Sequence, residues 1–595
     1  MRHTTLKAAR RAPLLLALAA SLLTAAAPAT VAPRPTAAQA SKRADAGAAE
    51  WVEETLRALT PRERVAQLVV VAASGEHMNL GGERFAELRR QAAELKVGGV
   101  LVRGGSPHEV AALTNELQRA ARVPLLVSAD YERGLRMQMK TGTPFTTNMA
   151  LGATGDTGAA YRQGRVIAEE ARAVGVNWLY GPVADINNNP DNPVISVRSF
   201  GEDPRRVAEF VAATVRGIRD GGALSTAKHF PGHGDTAVDT HIGLAAVRAD
   251  RARLERVELV PFRAAIGAGV DAVMTAHVAL PDFAGDAVPS TLSPKVTTGL
   301  LRGELKYGGI VVTDSLGMGA ITRGYPGGEA AVRAVRAGAD VALTPPDPKA
   351  AVDALEAAVR SGALTGGRID ESVRRLLAAK YRLGLARERL VRLEDVSRVV
   401  ERPESVREAE RVAEASMTLL RNRGGLLPLD PARSDTTLFV VVAADEDEEE
   451  GRAFVPQVRR RAEGAPVLRI GPRSAAADYE NVLAAAAKAG RVVVAPFVKR
   501  AAGKGTVALP EAQAVLLRKI IATKKPVAVV AFGGPYLIRQ FEDAPAYMVA
   551  YAIEEVAQAA AARALFGETP VTGRLPVTVP GLFELGAGLR LRARR

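Results

Sequence analysis

The chain has 595 residues, too many for one ordinary domain, and 47% are hydrophobic, enough to bury more than one large core. It contains no cysteine, which excludes disulfides, thiolate catalysis, cysteine-bound zinc, iron–sulfur clusters and N-terminal lipoprotein anchoring. The net charge is +14; the first 40 residues hold five basic side chains and no acid, leaving +9 without them, spread with no basic run between aromatics, so no nucleic-acid partner is expected.

Arg2, Lys7, Arg10 and Arg11 precede an apolar stretch at 13–27, too short to span a bilayer well. Small residues at 25–27 and 38–40 offer cleavage sites. This pattern predicts an export signal over 1–40, a disordered linker over 41–50, and a body that works in the periplasm or outside the cell. No stable membrane span remains after cleavage; an uncleaved anchor is the competing reading.

Thr60-Pro61-Arg62-Glu63 is a capping box with proline in the first helical position. Eight short apolar runs follow, at 67–72, 98–102, 124–128, 176–183, 223–227, 272–276, 309–313 and 340–344, separated by stretches of helical spacing such as 203–217 and 330–337. Strands buried on both faces and alternating with helices predict a parallel sheet, and eight such units predict a (β/α)8 barrel over 51–386. Residues 387–411 read as a linker and a helix. A second block at 412–595 repeats the alternation, with strands at 437–442, 467–470, 491–496, 526–531 and 546–551 and an exposed acidic turn at 445–450. The fold class is α/β, a TIM-type barrel followed by a smaller α/β sandwich.

The densest chemistry is KHFPGHGDTAVDTHIGL, 228–244, which holds three of the seven histidines. Pro231, Gly232 and Gly234 exclude a helix, so His229, His233 and His241 lie on a loop. In a barrel, catalytic groups gather where strands end. Asp130 ends the third run, Lys228 and His229 the fifth, His277 the sixth and Asp314 the seventh, while Arg198 lies in the long segment after the fourth. One acid at a strand end serves as a helix cap as readily as a catalyst. Four strand ends carrying ionisable groups, with Arg198 in the loop after a fifth, exceed what capping explains.

Asp314 is followed by Ser315-Leu316-Gly317-Met318-Gly319, small residues that let a substrate approach. A carboxylate at a barrel mouth suits a nucleophile at an anomeric carbon, and a retaining glycosidase needs a second, proton-transferring group. Asp239 and His241 are two apart, so on an extended segment their side chains leave on one side. Asp239 can then orient the imidazole, whose ordinary pKa of ~6.5 suits proton transfer near neutrality.

SADYERG, NPDNPVISVRSFGEDP, AKHFPGHGDTAVDTH, VMTAH and GIVVTDSLGMGAI resemble, in order and spacing, segments of glycoside hydrolase family 3, and within it the NagZ-type β-N-acetylglucosaminidases. SMTLLRNRGGLLPL and ALFGETPVTGRLPVTVP resemble the start and end of the family's second domain, so the likeness covers about 52–585. The resemblance implies a retaining hydrolase that frees terminal β-N-acetylglucosamine from cell-wall fragments or chitooligosaccharides. It implies Asp314 as nucleophile, Asp239 and His241 as the acid/base dyad, and Asp130, Arg198, Lys228 and His229 as sugar-binding groups, with His277 beside them. The partner is a carbohydrate; neither a cofactor nor a metal is implied. Other branches of the family take the acid/base from a glutamate in the second domain and lack this histidine loop. Two departures stand out: Thr240 where serine is common, and Tyr131-Glu132-Arg133-Gly134 in place of a glycine pair.

The alternatives within the family are a β-N-acetylglucosaminide phosphorylase and a β-glucosidase. Outside it, His229, His233, Asp235 and His241 could gather round a metal, but their spacing matches no zinc signature. Ser225-Thr226-Ala227-Lys228 with Lys140-Thr141-Gly142 mimics an acyl-enzyme serine site in reversed order. A non-catalytic wall-binding protein on this scaffold is opposed by the intact nucleophile and dyad. Glu554, Glu555 and Asp543 of the second block are expected to be solvated rather than catalytic, leaving that block to pack on the barrel.

Overall fold

The computed structural model describes residues 37–447 and 449–594. Most of the expected export signal, residues 1–36, lies outside them. The first described element is a helix, α1, Ala37–Arg57, which runs through the segment where composition predicts a disordered linker. Alanine is the strongest helix former and dominates this stretch, and Val52 and Leu56 near its end are buried.

Eight parallel strands follow: β1 Val69–Ser74, β2 Gly99–Arg103, β3 Leu126–Ala129, β4 Trp178–Leu179, β5 Thr226–Phe230, β6 Ala272–Thr275, β7 Ile310–Thr313 and β8 Ala342–Leu343. Pairing runs β8–β1–β2–β3–β4 and β5–β6–β7. Parallel bridges Trp178–Leu224 and Val183–Lys228 join β4 to β5, and Val312–Val341 joins β7 to β8, so the ring closes as a barrel. Each of the eight overlaps a predicted run, β5 only at 226–227; a further short pair, Ala245–Ala246 with Val278–Ala279, lies outside the runs. Of the fourth run, 176–183, the ladder keeps Trp178–Leu179, and pairing with the fifth strand resumes at the Val183–Lys228 bridge.

Alternation along the strands sorts their side chains. Val70, Leu101, Leu126, Trp178, Met274, Ile310, Val312 and Leu343 form one buried cluster in the barrel. Val71, Val100, Val127, Val273 and Val311, one residue out of phase, pack in the cluster that includes the surrounding helices. The helices begin on strong caps: Ser106 makes a capping box, and Asp203 accepts from the Arg206 N–H ahead of the helix Pro204–Asp220.

A helix Pro403–Ser416 crosses the expected domain boundary at 411/412 and leads into the second domain. There β9 Thr418–Asn422, β10 Thr437–Ala443, β11 Val467–Ile470, β12 Arg491–Phe497, β13 Val527–Ala531 and β14 Ala546–Val549 form one sheet. Its order is β9–β14–β13–β12–β10–β11, parallel except for β9, which runs antiparallel at the edge. The five expected strands are present. The sixth, β9, lies at the sheet edge, bridged on its outer side only at Leu419 by Leu589, and its last two residues, Arg421 and Asn422, are polar, so its pattern is weak.

The acidic turn is not simply exposed. Asp445 and Asp447 are ion-paired with Lys504 and Lys499, and Glu450 is fully buried, with no hydrogen bond to either carboxylate oxygen among the described residues. Burial, with Asp445 and Asp447 nearby, pushes the Glu450 carboxyl up to about 8. A raised folded-state pKa means that the native state holds the proton more tightly than the unfolded chain. Stability is therefore full below the ordinary value of 4.5 and is lost as pH climbs through about 8. Glu450→Gln is expected to stabilise by about 1–3 kcal/mol at pH ~8.5 and to change little near pH ~5, read as Tm across pH. A uniform shift at all pH values would refute the assignment.

Candidate active site

The polar residues at the barrel mouth form one connected network. Lys228, buried on β5, places Nζ 2.8 Å from Asp130 Oδ1 and 2.8 Å from Glu132 Oε1. Arg198, on the turn Ser196–Arg198, grips the same glutamate with both prongs, Nε to Oε2 at 3.0 Å and Nη2 to Oε1 at 2.6 Å. Burial alone would raise the Glu132 carboxyl; Arg198 and then Lys228 reverse that and hold it well below its usual range. Burial likewise opposes the Lys228 ammonium, and Asp130 and Glu132 outweigh it, so its pKa is raised. Buried charges persist only when paired in this way.

His229 continues the chain of contacts. Its Nδ1–H donates to Asp185 Oδ2 at 2.7 Å, which fixes the tautomer and turns Nε2 toward Arg198 Nη2 at 3.4 Å. Asp185 also accepts the backbone N–H of His229 at 3.2 Å and of His233 at 2.7 Å. Its burial is offset by the adjacent His229, through its hydrogen bond, and by His233, and its pKa lies below the usual carboxylate value.

Asp314 follows β7 directly. Burial would raise its carboxyl, but His229, then His277, the Ser315 N–H at 2.7 Å and Lys228 bring it down to about 2. It is therefore ionised at any working pH, as a nucleophile must be. His277 is placed differently from the expectation. It is fully buried, its Nε2–H donates to Ser315 O at 2.9 Å, and its Nδ1 accepts from the Thr291 hydroxyl at 2.8 Å. With both nitrogens engaged, it braces the residue after Asp314 rather than offering a group to a sugar.

The dyad residues meet. Asp239 Oδ1 accepts the His241 Nδ1–H at 2.7 Å and the His241 backbone N–H at 2.9 Å. The backbone that brings them together is a turn, with Ile242 N–H donating to Asp239 O at 2.9 Å, and not the extended segment expected from their spacing. The Asp239 side chain is 0% exposed and that of His241 35%, so the imidazole edge carrying Nε2 is left for a substrate.

The rest of the loop holds this turn. His233 donates its Nδ1–H to the Thr236 hydroxyl at 2.9 Å and accepts the Thr240 hydroxyl at Nε2 at 3.0 Å, and its burial pushes its pKa down to about 4. Thr240, the departure from serine, thus has a structural role. Asp235 pairs with Arg253 at 2.5 Å. Backbone N–H groups of Gly319 and Ala320, shortly after Asp314, donate to His241 O and Thr240 O at 3.3 and 3.2 Å. A Cβ at Gly319 would stand 2.7 Å from His241 O, so glycine is needed for that approach.

Sequence reasoning missed Glu132 and Asp185. Glu132 was visible only as an oddity two residues past Asp130. Asp185 lies just beyond the fourth run, where a carboxylate at a strand end could have been flagged.

Residues 60–379 match the glycosyl hydrolase family 3 N terminal domain and residues 417–585 the glycosyl hydrolase family 3 C-terminal domain. The chain belongs to glycosyl hydrolase family 3. Among family members, the Cellulomonas fimi protein named beta-N-acetylglucosaminidase/beta-glucosidase is 35% identical over 392 residues, 64% of this chain and 68% of that one. Beta-hexosaminidase LpqI of Mycobacterium tuberculosis is 33% identical over 54% of this chain and 83% of its own length. Among solved structures, a family 3 beta-N-acetylglucosaminidase from Paenibacillus sp. str. FPU-7 is 37% identical, with a TM-score of 0.79 over 88% of this chain and 99% of that one. The beta-glucoside phosphorylase BglX is 27% identical, with a TM-score of 0.81 over 90% and 97%.

In this family 3 glycosidase two of the three second-domain acids Glu554, Glu555 and Asp543 are held in ion pairs with arginines of the barrel. Glu554 pairs with Arg133, and Glu555 pairs with Arg136 at 3.3 Å. Asp543 lines a cleft on the second domain with Arg423 and Arg491. Alanine at any of the three is expected to leave turnover of an aryl N-acetylglucosaminide within a few-fold. A hundredfold loss with folding intact would move the acid/base to this domain.

Proposed function

We propose that the enzyme releases terminal, non-reducing β-linked N-acetylglucosamine with retention of configuration, from cell-wall fragments or chitooligosaccharides. The observation that carries this reading is an ionised Asp314 at the barrel mouth beside a histidine loop whose Asp239–His241 pair leaves one imidazole nitrogen open. Asp314 attacks the anomeric carbon while the imidazolium form of His241, held through Nδ1–H on Asp239, gives its Nε2 proton to the departing oxygen, leaving a neutral imidazole and a covalent glycosyl-enzyme. The neutral His241 then takes a proton at Nε2 from water, whose oxygen attacks the same carbon and displaces the Asp314 carboxylate. Asp130, Lys228 and Arg198 supply the acceptors and donors that a ring of hydroxyls and an acetamido carbonyl require. The names borne by the Cellulomonas and Paenibacillus relatives support the same sugar, and that of the Mycobacterium relative supports a hexosamine. The test is a panel of aryl β-glycosides with proton NMR of the first-formed anomer. N-acetylglucosaminide should be preferred and β product should appear first; α product would exclude retention.

Phosphate as acceptor is a second reading, favoured by an imidazole where a carboxylate would repel an anion, and by the likeness to BglX. N-acetylglucosamine 1-phosphate in phosphate buffer would establish it, and free sugar alone would dismiss it. Export rests on Arg2, Lys7, Arg10 and Arg11 ahead of the apolar stretch at 13–27. N-terminal sequencing of protein recovered outside the cytoplasm should begin after residue 27 or 40, and an intact cytoplasmic chain would refute it.

A further inference from the structure

The buried carboxylate that orients His241 is held by two domains. Asp239 Oδ1 serves the imidazole and its backbone N–H, while Oδ2 accepts the backbone N–H of Gly503 at 2.9 Å, from a residue 264 positions away in the second domain. Burial would raise the Asp239 carboxyl, and these donors, led by the His241 backbone N–H, bring it below its usual value. Gly503 sits in a shaped loop, with φ of 75° here and 69° at Gly505, a region that glycine enters without strain.

Two ion pairs anchor that loop to its own domain. Lys504 Nζ lies 2.7 and 2.8 Å from the two oxygens of Asp445. Lys499 Nζ lies 2.6 Å from Asp447 Oδ2. Asp445 and Asp447 belong to the acidic turn that follows β10. The Lys504 pair is partly buried, with side chains 23 and 31% exposed, so it resists screening better than a surface pair. Lys504 is also the next residue to Gly503, so its anchorage sets where that N–H points.

We propose that the second domain is a positioning element of the acid/base: the acidic turn holds Lys504 and Lys499, which fixes the Gly503 N–H on Asp239 and, through it, the tautomer and aim of His241. The inference rests on the Asp239–His241 dyad of the proposed function. It gives the second domain a catalytic consequence without a catalytic side chain. It also gives the run of acids after β10 a purpose beyond solvation.

The test compares kcat/KM for two aryl β-N-acetylglucosaminides, one with a poor leaving group and one with an activated leaving group. Only the former needs a well-aimed proton donor in the step that kcat/KM reports. Lys504→Gln and Asp445→Asn are each expected to lower kcat/KM on the poor leaving group on the order of tenfold, comparable to the loss of other supports of ligating or catalytic groups. The activated substrate should lose less than about twofold, since its leaving group departs without protonation. The exchanged pair Lys504→Asp with Asp445→Lys should recover most of the loss, which a general weakening of the fold would not do. Equal losses on both substrates, or none in either variant with Tm unchanged, would overturn the proposal. Asp445→Asn probes the same contact from the other side should Lys504→Gln fold poorly. His241→Ala, run alongside, separates the two levels. If it shows the leaving-group split and the Lys504 and Asp445 variants do not, the clamp alone is wrong. If it shows no split, the dyad is wrong.

Discussion

Asp314→Ala is expected to lower kcat by thousands-fold or more on every substrate, because the covalent step disappears. The magnitude follows from the environment of the residue. A carboxylate that burial would neutralise is kept ionised down to about pH 2 by His229, His277, Lys228 and the Ser315 N–H, so its whole population is nucleophilic at working pH. The acid limb of the pH–rate profile must therefore report another group. The sign for stability is the same as for other depressed acids: Asp314 contributes above the ordinary value of 3.8, and that contribution fades as pH falls toward about 2. The variant should lose its activity without gaining a new pH dependence near neutrality. Removing the side chain also opens space on the face of the sugar opposite the leaving group. A small anion such as azide entering there makes one displacement, not two, and should yield the α-glycosyl azide from a β substrate. Near-normal turnover in the variant, or β azide as the rescued product, would show that the nucleophile lies elsewhere.

Much of this site was legible in the sequence because barrels concentrate chemistry at strand ends. Asp130, Lys228, His229 and Asp314 each follow an apolar run of strand length, and the structure places all four in or directly after β3, β5 and β7. What failed to show depends on partners that no local pattern encodes. His277 also follows its strand, yet Thr291 and the Ser315 carbonyl occupy both its nitrogens, and nothing near residue 277 announces that. Glu132 acquires its role only because Arg198 arrives from a segment 66 residues later. The Asp239–His241 pair was found by an argument from extended geometry, whereas a turn delivers it. Spacing of two brings the side chains together in both geometries, so the pairing survives although the backbone differs. The acidic turn misled because six acids in a row read as solvated, while Lys499 and Lys504 neutralise two and packing encloses Glu450. The Gly503 contact could not be read at all, since a backbone N–H has no letter of its own.

His241→Ala is expected to separate substrates by their leaving groups. Loss of a positioned acid typically costs on the order of 100- to 10,000-fold when the departing oxygen needs protonation. For an alkyl or sugar aglycone, kcat/KM should fall by that amount. For a dinitrophenyl glycoside it should hold within a few-fold, because the phenolate leaves unaided. The same residue must also activate water in the second step, so the activated substrate gives a second signature: release of the phenol becomes faster than breakdown of the glycosyl-enzyme. A burst of phenol equal to the enzyme concentration should precede a slow steady state, and azide should restore turnover by attacking the intermediate without base help, giving the β azide. That stereochemistry is opposite to the rescue of Asp314→Ala, since here the anion completes the second displacement instead of replacing the first. Asp239→Asn should follow the same split, because an amide cannot hold the imidazole in the tautomer that a carboxylate at 2.7 Å from Nδ1 imposes. Equal losses on both aglycones, with no burst and no rescue, would leave His241 a loop-stabilising residue and require a different proton donor.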